Sequence, residues 1–296
     1  DRIGQVIREY WESRLETGEE AIRFEMEAWC FSSPEKNRRA AEDLARLVSE
    51  IGGRILSTAL IQNIAYHGFL VEMPASGVRS LLSETPPALV MSDRVMLFRP
   101  RGQALPVPDG DELRFPGVDG STRTPSGQPV VAVLDGLPVQ NHPLLAGRLS
   151  IDDPDGWESN YPARDRVHGT AMASLVLYGE LDGPRVPLSR PIYVRPIMRP
   201  NPADMHEPRQ ESTPDDVLLI DLVHRSVKRM FDGDAGSPAA APTVKVVNLS
   251  VGDLLKPFDT ELSPWARLLD WLSSKYQVLF VVSAGNVSAQ PTLPTV

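Results

Sequence analysis

Disulfide chemistry is the first thing this chain lacks. Its 296 residues include one cysteine, Cys30, so an internal disulfide is excluded. Cys30 sits in an apolar run and is expected to pack in a core. Long apolar runs are also missing. None approaches the roughly 20 residues a membrane helix needs, so no membrane partner is expected. The formal net charge is -9 and the basic residues are scattered, which argues against a nucleic-acid partner. Acidity of this size serves solubility. No signal-peptide pattern is visible. Asp1 rather than Met stands first, which leaves room for an upstream segment. A cytoplasmic location is the default expectation, and secretion is not excluded. The marks of metal and phosphate chemistry are missing too. His67, His206 and His224 form no His-Glu-x-x-His arrangement, and Gly117 and Gly120 make no phosphate loop. No cofactor and no metal site are expected.

What is present can build a core. A hydrophobic content of 42% suffices for one large core or two unequal ones. In residues 1–17, Ile3, Val6, Ile7, Tyr10, Trp11 and Leu15 recur at helical spacing, which predicts an amphipathic helix. Residues 21–31 alternate as a strand. Ser33-Pro34-Glu35 opens a helix through about Ile51, closed by Gly52-Gly53. Strands at 54–61 and 65–73, a helix at 74–84 and a strand at 88–98 complete a βαββαβ order. That is the split βαβ, ferredoxin-like α+β arrangement, placed in an 18–100 domain. Residues 101–128 are rich in Pro, Gly and Asp and read as a linker.

From Pro129 the pattern changes, and residues 129–296 read as a second domain. Pro129–Leu134 is a continuous apolar run, as expected of a parallel strand buried on both faces. A helix of small and apolar residues follows at 169–178, then a strand at 191–198. The Pro-rich stretch 199–214 reads as a surface insertion. A helix at 215–231, a loop at 232–242, a strand at 244–250, a helix at 264–276 and a strand at 278–283 follow. Strands alternating with helices predict an α/β unit, a parallel sheet with helices on both faces. Asp135 ends its first strand, where open α/β sheets place ligands and catalytic groups. His168 lies 33 positions later, at the start of a helix.

Four segments occur in order: Val-Ala-Val-Leu-Asp135-Gly, His168-Gly-Thr, Val-Asn248-Leu-Ser-Val-Gly and Ser-Ala-Gly-Asn286. Together they resemble the subtilisin-like serine peptidases, or subtilases. The histidine segment departs from the family's His-Gly-Thr-His by ending in Ala171, which leaves the imidazole in place. Asn141-His142-Pro143 resembles the His-Pro found at the same place in the family, and His142 is expected to be structural. The resemblance implies that Asp135 orients His168, that His168 acts as general base and acid, and that Asn286 stabilises the oxyanion. It implies that Ser250, Val251 and Gly252 form one wall of the substrate pocket, and Ser283, Ala284 and Gly285 the other. Peptide or protein substrates are the implied partners. The βαββαβ domain then resembles the family's propeptide, a folding chaperone and inhibitor. It is expected to pack its sheet on the helices at 215–231 and 264–276 through a mainly apolar contact, with acidic side chains of the domain meeting helix N-termini. The Asp-rich Ile151–Asp155 could hold a structural calcium, as loops of some subtilases do. A solvated acidic turn is the plainer reading.

One family segment is missing: no Gly-Thr-Ser-Met-Ala stretch follows Asn286. The serine is expected some tens of residues beyond Val296, in a C-terminal part that would be a further partner. By this reading the catalytic domain is incomplete and the chain alone is inactive. The alternative is a degenerate subtilase domain that binds peptides or proteins without cleaving them.

Overall fold

The computed structural model describes residues 2–102, 124–179, 186–234, 236–252 and 262–283. The chain divides into two compact units. The first comprises Asp1–Gly102, Asp215–Arg225 and Leu255–Leu272, and the second the remaining residues.

Helix α1 (Gln5–Glu16) opens the first unit and buries Ile7 and Trp11 one turn apart. Strand β1 (Ala21–Ala28) follows. Helix α2 (Pro34–Glu50) begins as its sequence prescribes: Ser33 accepts the Lys36 N–H at 3.4 Å and Pro34 occupies the first turn. Its buried residues Ala40, Leu44 and Val48 lie four apart, facing the sheet. Gly52, at φ +80°, ends it. Strands β2 (Arg54–Ile61) and β3 (Tyr66–Pro74), helices α3 (Ala75–Leu81) and α4 (Ala88–Met91), and strand β4 (Val95–Pro100) complete the unit's N-terminal part. The four strands form an antiparallel sheet in the order β2-β3-β1-β4. On one face Trp11, Phe24 and Phe98 pack ring against ring, with centroids 5.0–5.9 Å apart.

Three expectations for this region need correction. The strand expected at 88–98 starts only at Val95, and residues 88–91 form a helical turn with Leu89 buried. Pro87 stands extended just before that turn, where its fixed φ starts a helix as readily as a strand. The strand expected to run to Phe31 ends at Ala28, with Trp29 half exposed at 51%. Cys30 beyond it is only partly buried, not set in a core.

The opposite face of the sheet is polar yet buried. Glu25 and Glu27 are almost wholly shielded from solvent. Tyr66 Oη donates to Glu25 Oε1 at 2.8 Å. Glu27 accepts from Arg99 Nε at 3.1 Å and from Arg267 Nη2 at 2.7 Å. Arg267 also donates to the Ile64 carbonyl at 2.6 Å, and Arg23 pairs with Asp215. The sequence suggested a mainly apolar contact with the 215–231 and 264–276 segments, with acidic side chains of the domain at helix N-termini; the bonds to those segments include the ion pairs Glu27–Arg267 and Arg23–Asp215.

The second unit is built on strands β5 (Val131–Asp135), β6 (Leu149–Ile151) and β7 (Ile192–Pro196), with helix α5 (Val167–Tyr178) between the last two. Strands β8 (Arg199–Pro200) and β9 (Glu211–Ser212) form a small antiparallel pair. Helix α6 (Leu219–Asp232), strand β10 (Val246–Leu249), helix α7 (Pro264–Tyr276) and strand β11 (Leu279–Val282) follow along the chain. The five-stranded sheet is parallel, in the order β11-β10-β5-β7-β6, and is flanked by helices. Ala173, Leu177 and Tyr178 of α5 pack on Val133, Ile192 and Val194. Helix α6 starts four residues later than expected. The edge strand β6 has no sequence expectation behind it; three residues are too few to show a period. The expected linker lies outside the described residues at 103–123.

Candidate active site

Strand β5 delivers Asp135 to the carboxyl edge of the sheet, fully buried. Its carbonyl accepts the Ile197 N–H at 2.7 Å, which ties the strand end to the chain leaving β7. Helix α5 begins one residue before His168 and aims that side chain back at the strand. Asp135 Oδ1 lies 2.7 Å from His168 Nδ1 and accepts the Gly136 N–H at 2.6 Å. With a carboxylate as its partner, Nδ1 carries the ring proton, and Nε2 is the basic nitrogen. Burial raises the Asp135 pKa, and the bonds from His168 and Gly136 oppose that rise.

Two glycines permit this approach. A Cβ on Gly169 would stand 2.3 Å from the Gly136 carbonyl oxygen, and one on Gly136 would stand 1.9 Å from Glu211 Oε1. The Thr170 hydroxyl accepts the Val139 N–H at 2.9 Å and donates to the Arg166 carbonyl, lacing the helix start to the chain after β5.

Ser250 and Ser283 follow β10 and β11, which run beside β5 in the same direction. They therefore lie at the sheet edge that carries Asp135. Ser250 Oγ donates to Asn248 Oδ1 at 3.0 Å, and Val251 is buried. The Ser283 N–H reaches the Leu249 carbonyl at 3.4 Å. Gly252 is partly buried just beyond. Ala284, Gly285 and Asn286 lie outside the described residues. His142 Nδ1 accepts the Leu144 N–H at 3.3 Å in a local turn.

A match to the family model described as "Subtilase family" covers residues 126–296, more than half of the chain. The chain belongs to the subtilase family. That makes residues 126–296 a serine-peptidase domain, a hydrolase by class. No curated protein matches the chain at a significant level.

Beside the Asp135–His168 pair of this subtilase domain lie groups that the sequence did not single out. Glu211, buried at 3% exposure, accepts the His168 backbone N–H on Oε2 at 2.6 Å. The buried Tyr161 hydroxyl donates to its Oε1. Burial raises the pKa of Glu211, and the bonds from Tyr161 and His168 partly offset this. Burial and the adjoining carboxylate push the Tyr161 pKa far up, so the phenol stays a donor. A further buried carboxylate, Asp165, accepts the Arg209 N–H at 3.0 Å and its guanidinium at 2.7 Å. This pair holds the β8–β9 segment against the turn before α5. The stretch expected to be a surface insertion thus buries Glu211, Ser212 and Thr213. Pro-rich composition hid them, and no local period marks a two-residue strand.

The acidic turn at 151–155 is committed internally. Asp152 accepts from Tyr193 Oη at 2.6 Å and from Arg229 Nε at 2.8 Å, and Asp155 pairs with Arg195 at 2.7 Å. Asp152 and Asp155 serve as ion-pair partners and Asp153 accepts the Glu158 N–H at 2.8 Å, which replaces the expected solvated turn. Among the described residues no group of His, Cys, Asp or Glu is arranged to hold a metal, and no helix is long and apolar enough to cross a membrane.

Proposed function

We propose that this chain contributes the acid and base of a subtilisin-type serine endopeptidase acting on peptide or protein substrates. The observation that carries the reading is the 2.7 Å contact between buried Asp135 and His168 Nδ1. Asp135 holds one tautomer and stabilises the imidazolium. His168 Nε2 takes the proton from a serine hydroxyl as its oxygen attacks the scissile carbonyl, then passes that proton to the leaving amine. The Asn286 amide donates to the oxyanion. Peptide backbone lies along the segments after β10 and β11.

The family's motif order assigns the serine to a Gly-Thr-Ser segment after Asn286, which residues 287–296 do not contain. The βαββαβ part of the first unit is a propeptide-like domain; its topology supports that assignment.

The test uses the protein extended through its reading frame past Val296. Wild type should hydrolyse a peptide substrate and take up a fluorophosphonate label, and the H168A variant should do neither. Wild-type labelling in H168A would remove the base assignment. No labelling in the extended wild type would favour a peptide-binding module.

A further inference from the structure

We propose that Glu211 is a positioning residue for His168, fixing the imidazole through the backbone N–H and favouring the imidazolium through its charge. The inference deepens the peptidase reading and rests on it.

Helix α5 starts without help from its own sequence. Its N-cap, Arg166, gives no side-chain acceptor, although the first N–H groups of any helix need one. Glu211 supplies it from 43 residues away, at the amide of the residue that carries the imidazole. A carboxylate at that end also suits the helix dipole. The bond fixes the backbone from which the ring reaches Asp135, so a shift there moves Nε2 directly.

The pocket is shaped for this carboxylate. Gly136, next to Asp135, leaves the space that Glu211 Oε1 and Tyr161 Oη fill. Tyr161 holds one carboxylate oxygen and His168 N–H the other. Both partners donate, and a carboxylic acid would bring a third proton to the cluster, so the ionised form fits. The Asp165–Arg209 ion pair anchors the residue two positions before Glu211.

The consequence is electrostatic as well as steric. When His168 takes the serine proton, its positive charge forms beside Asp135 and within the field of Glu211, an interaction that also pulls the Glu211 pKa down. The charged or titratable groups around it are Asp135 from β5, Tyr161 and Asp165 from the turn before α5, Arg166 at the helix start and Arg209 beside β9. Arg166 and Arg209 are engaged by the Tyr161 carbonyl and by Asp165.

Glutamine separates the two roles. E211Q keeps a carbonyl for the His168 N–H and loses the charge; E211A loses both. The first measurement is an NMR titration of the His168 imidazole in this chain, which needs no serine. E211Q should lower its midpoint by about half a pH unit or more. E211A should do the same and also speed exchange of the His168 amide proton. The second measurement is the pH profile of kcat/KM in the extended protein. E211Q should move its acidic limb to lower pH, and E211A should cost on the order of a hundredfold, with E211Q retaining more activity than E211A. A His168 midpoint unchanged in E211Q overturns the proposal, even if E211A fails to fold. A lowered midpoint in E211Q, together with an extended wild type that neither cleaves nor labels, counts against the peptidase reading alone.

Discussion

Gly169 lies so close to Gly136 that a single methyl group on it would stand 2.3 Å from the Gly136 carbonyl oxygen. These glycines follow His168 and Asp135 directly in sequence. Their contact is therefore the spacer that sets the 2.7 Å bond between acid and imidazole.

That relationship predicts the effect of G169A. Helix propensity alone favours alanine by about 1 kcal/mol. The added methyl meets backbone rather than a movable side chain, so helix and strand must separate. A net loss of about 1–3 kcal/mol is expected in thermal unfolding. Activity in the extended protein should fall further than the stability change explains. A variant as stable as wild type would show that the helix start can shift freely.

The buried Glu27 carboxylate is held by Arg99 and Arg267. R267A removes one cation from a fully shielded anion and frees the Ile64 carbonyl. A loss of about 3 kcal/mol is expected, because the remaining charge stays buried with less compensation. Urea unfolding of R267A, E27Q and the double variant would measure it, with coupling between the two sites expected above about 0.5 kcal/mol. Additive losses would refute a shared network.

His67 gives the first unit a pH dependence. Burial holds its imidazole below the ordinary pKa, and a backbone bond involving Trp29 only partly opposes this. Below about pH 6.5 the unfolded chain binds a proton that the folded site refuses, so stability falls with pH. The loss stops growing once the pH passes the depressed native pKa. Glu72 acts in a different window. Despite burial, bonds from Arg23 and Arg54 keep its pKa low, so its contribution is present above about pH 4.5 and is lost in more acid solution. Denaturant unfolding at pH 7.5 and 5.5 should show a drop that H67F abolishes. An equal drop in H67F would assign the effect elsewhere.

Substrate preference follows from the residues after β10 and β11. Ser250, Val251 and Gly252 of one wall, and Ser283, Ala284 and Gly285 assigned to the other, carry no charge. The extended protein is therefore expected to prefer an apolar or small residue before the scissile bond. Cleavage profiling of a peptide library checks this. A strict requirement for Arg or Lys would show that an acidic group from elsewhere lines the pocket.

Much of this protein was legible before any coordinates. Period-two and helical spacing marked β1 through β3 and α2, because each needs only near neighbours along the chain to bury one face. The ordered motifs of the subtilase resemblance singled out Asp135 and His168, and their positions at a strand end and a helix start allow the two side chains to meet at the carboxyl edge of a parallel sheet. What remained hidden depends on residues distant in sequence. Residues 88–91 turn into a helix because tertiary packing buries Leu89, which overrides a weak strand pattern. Asp152 and Asp155 looked solvated until Arg229 and Arg195 arrived from 77 and 40 residues away. Glu211 sits in a segment whose composition signals a loop, and only the fold brings it to the His168 amide. A buried carboxylate needs its donors in space, and spacing along the chain does not encode them.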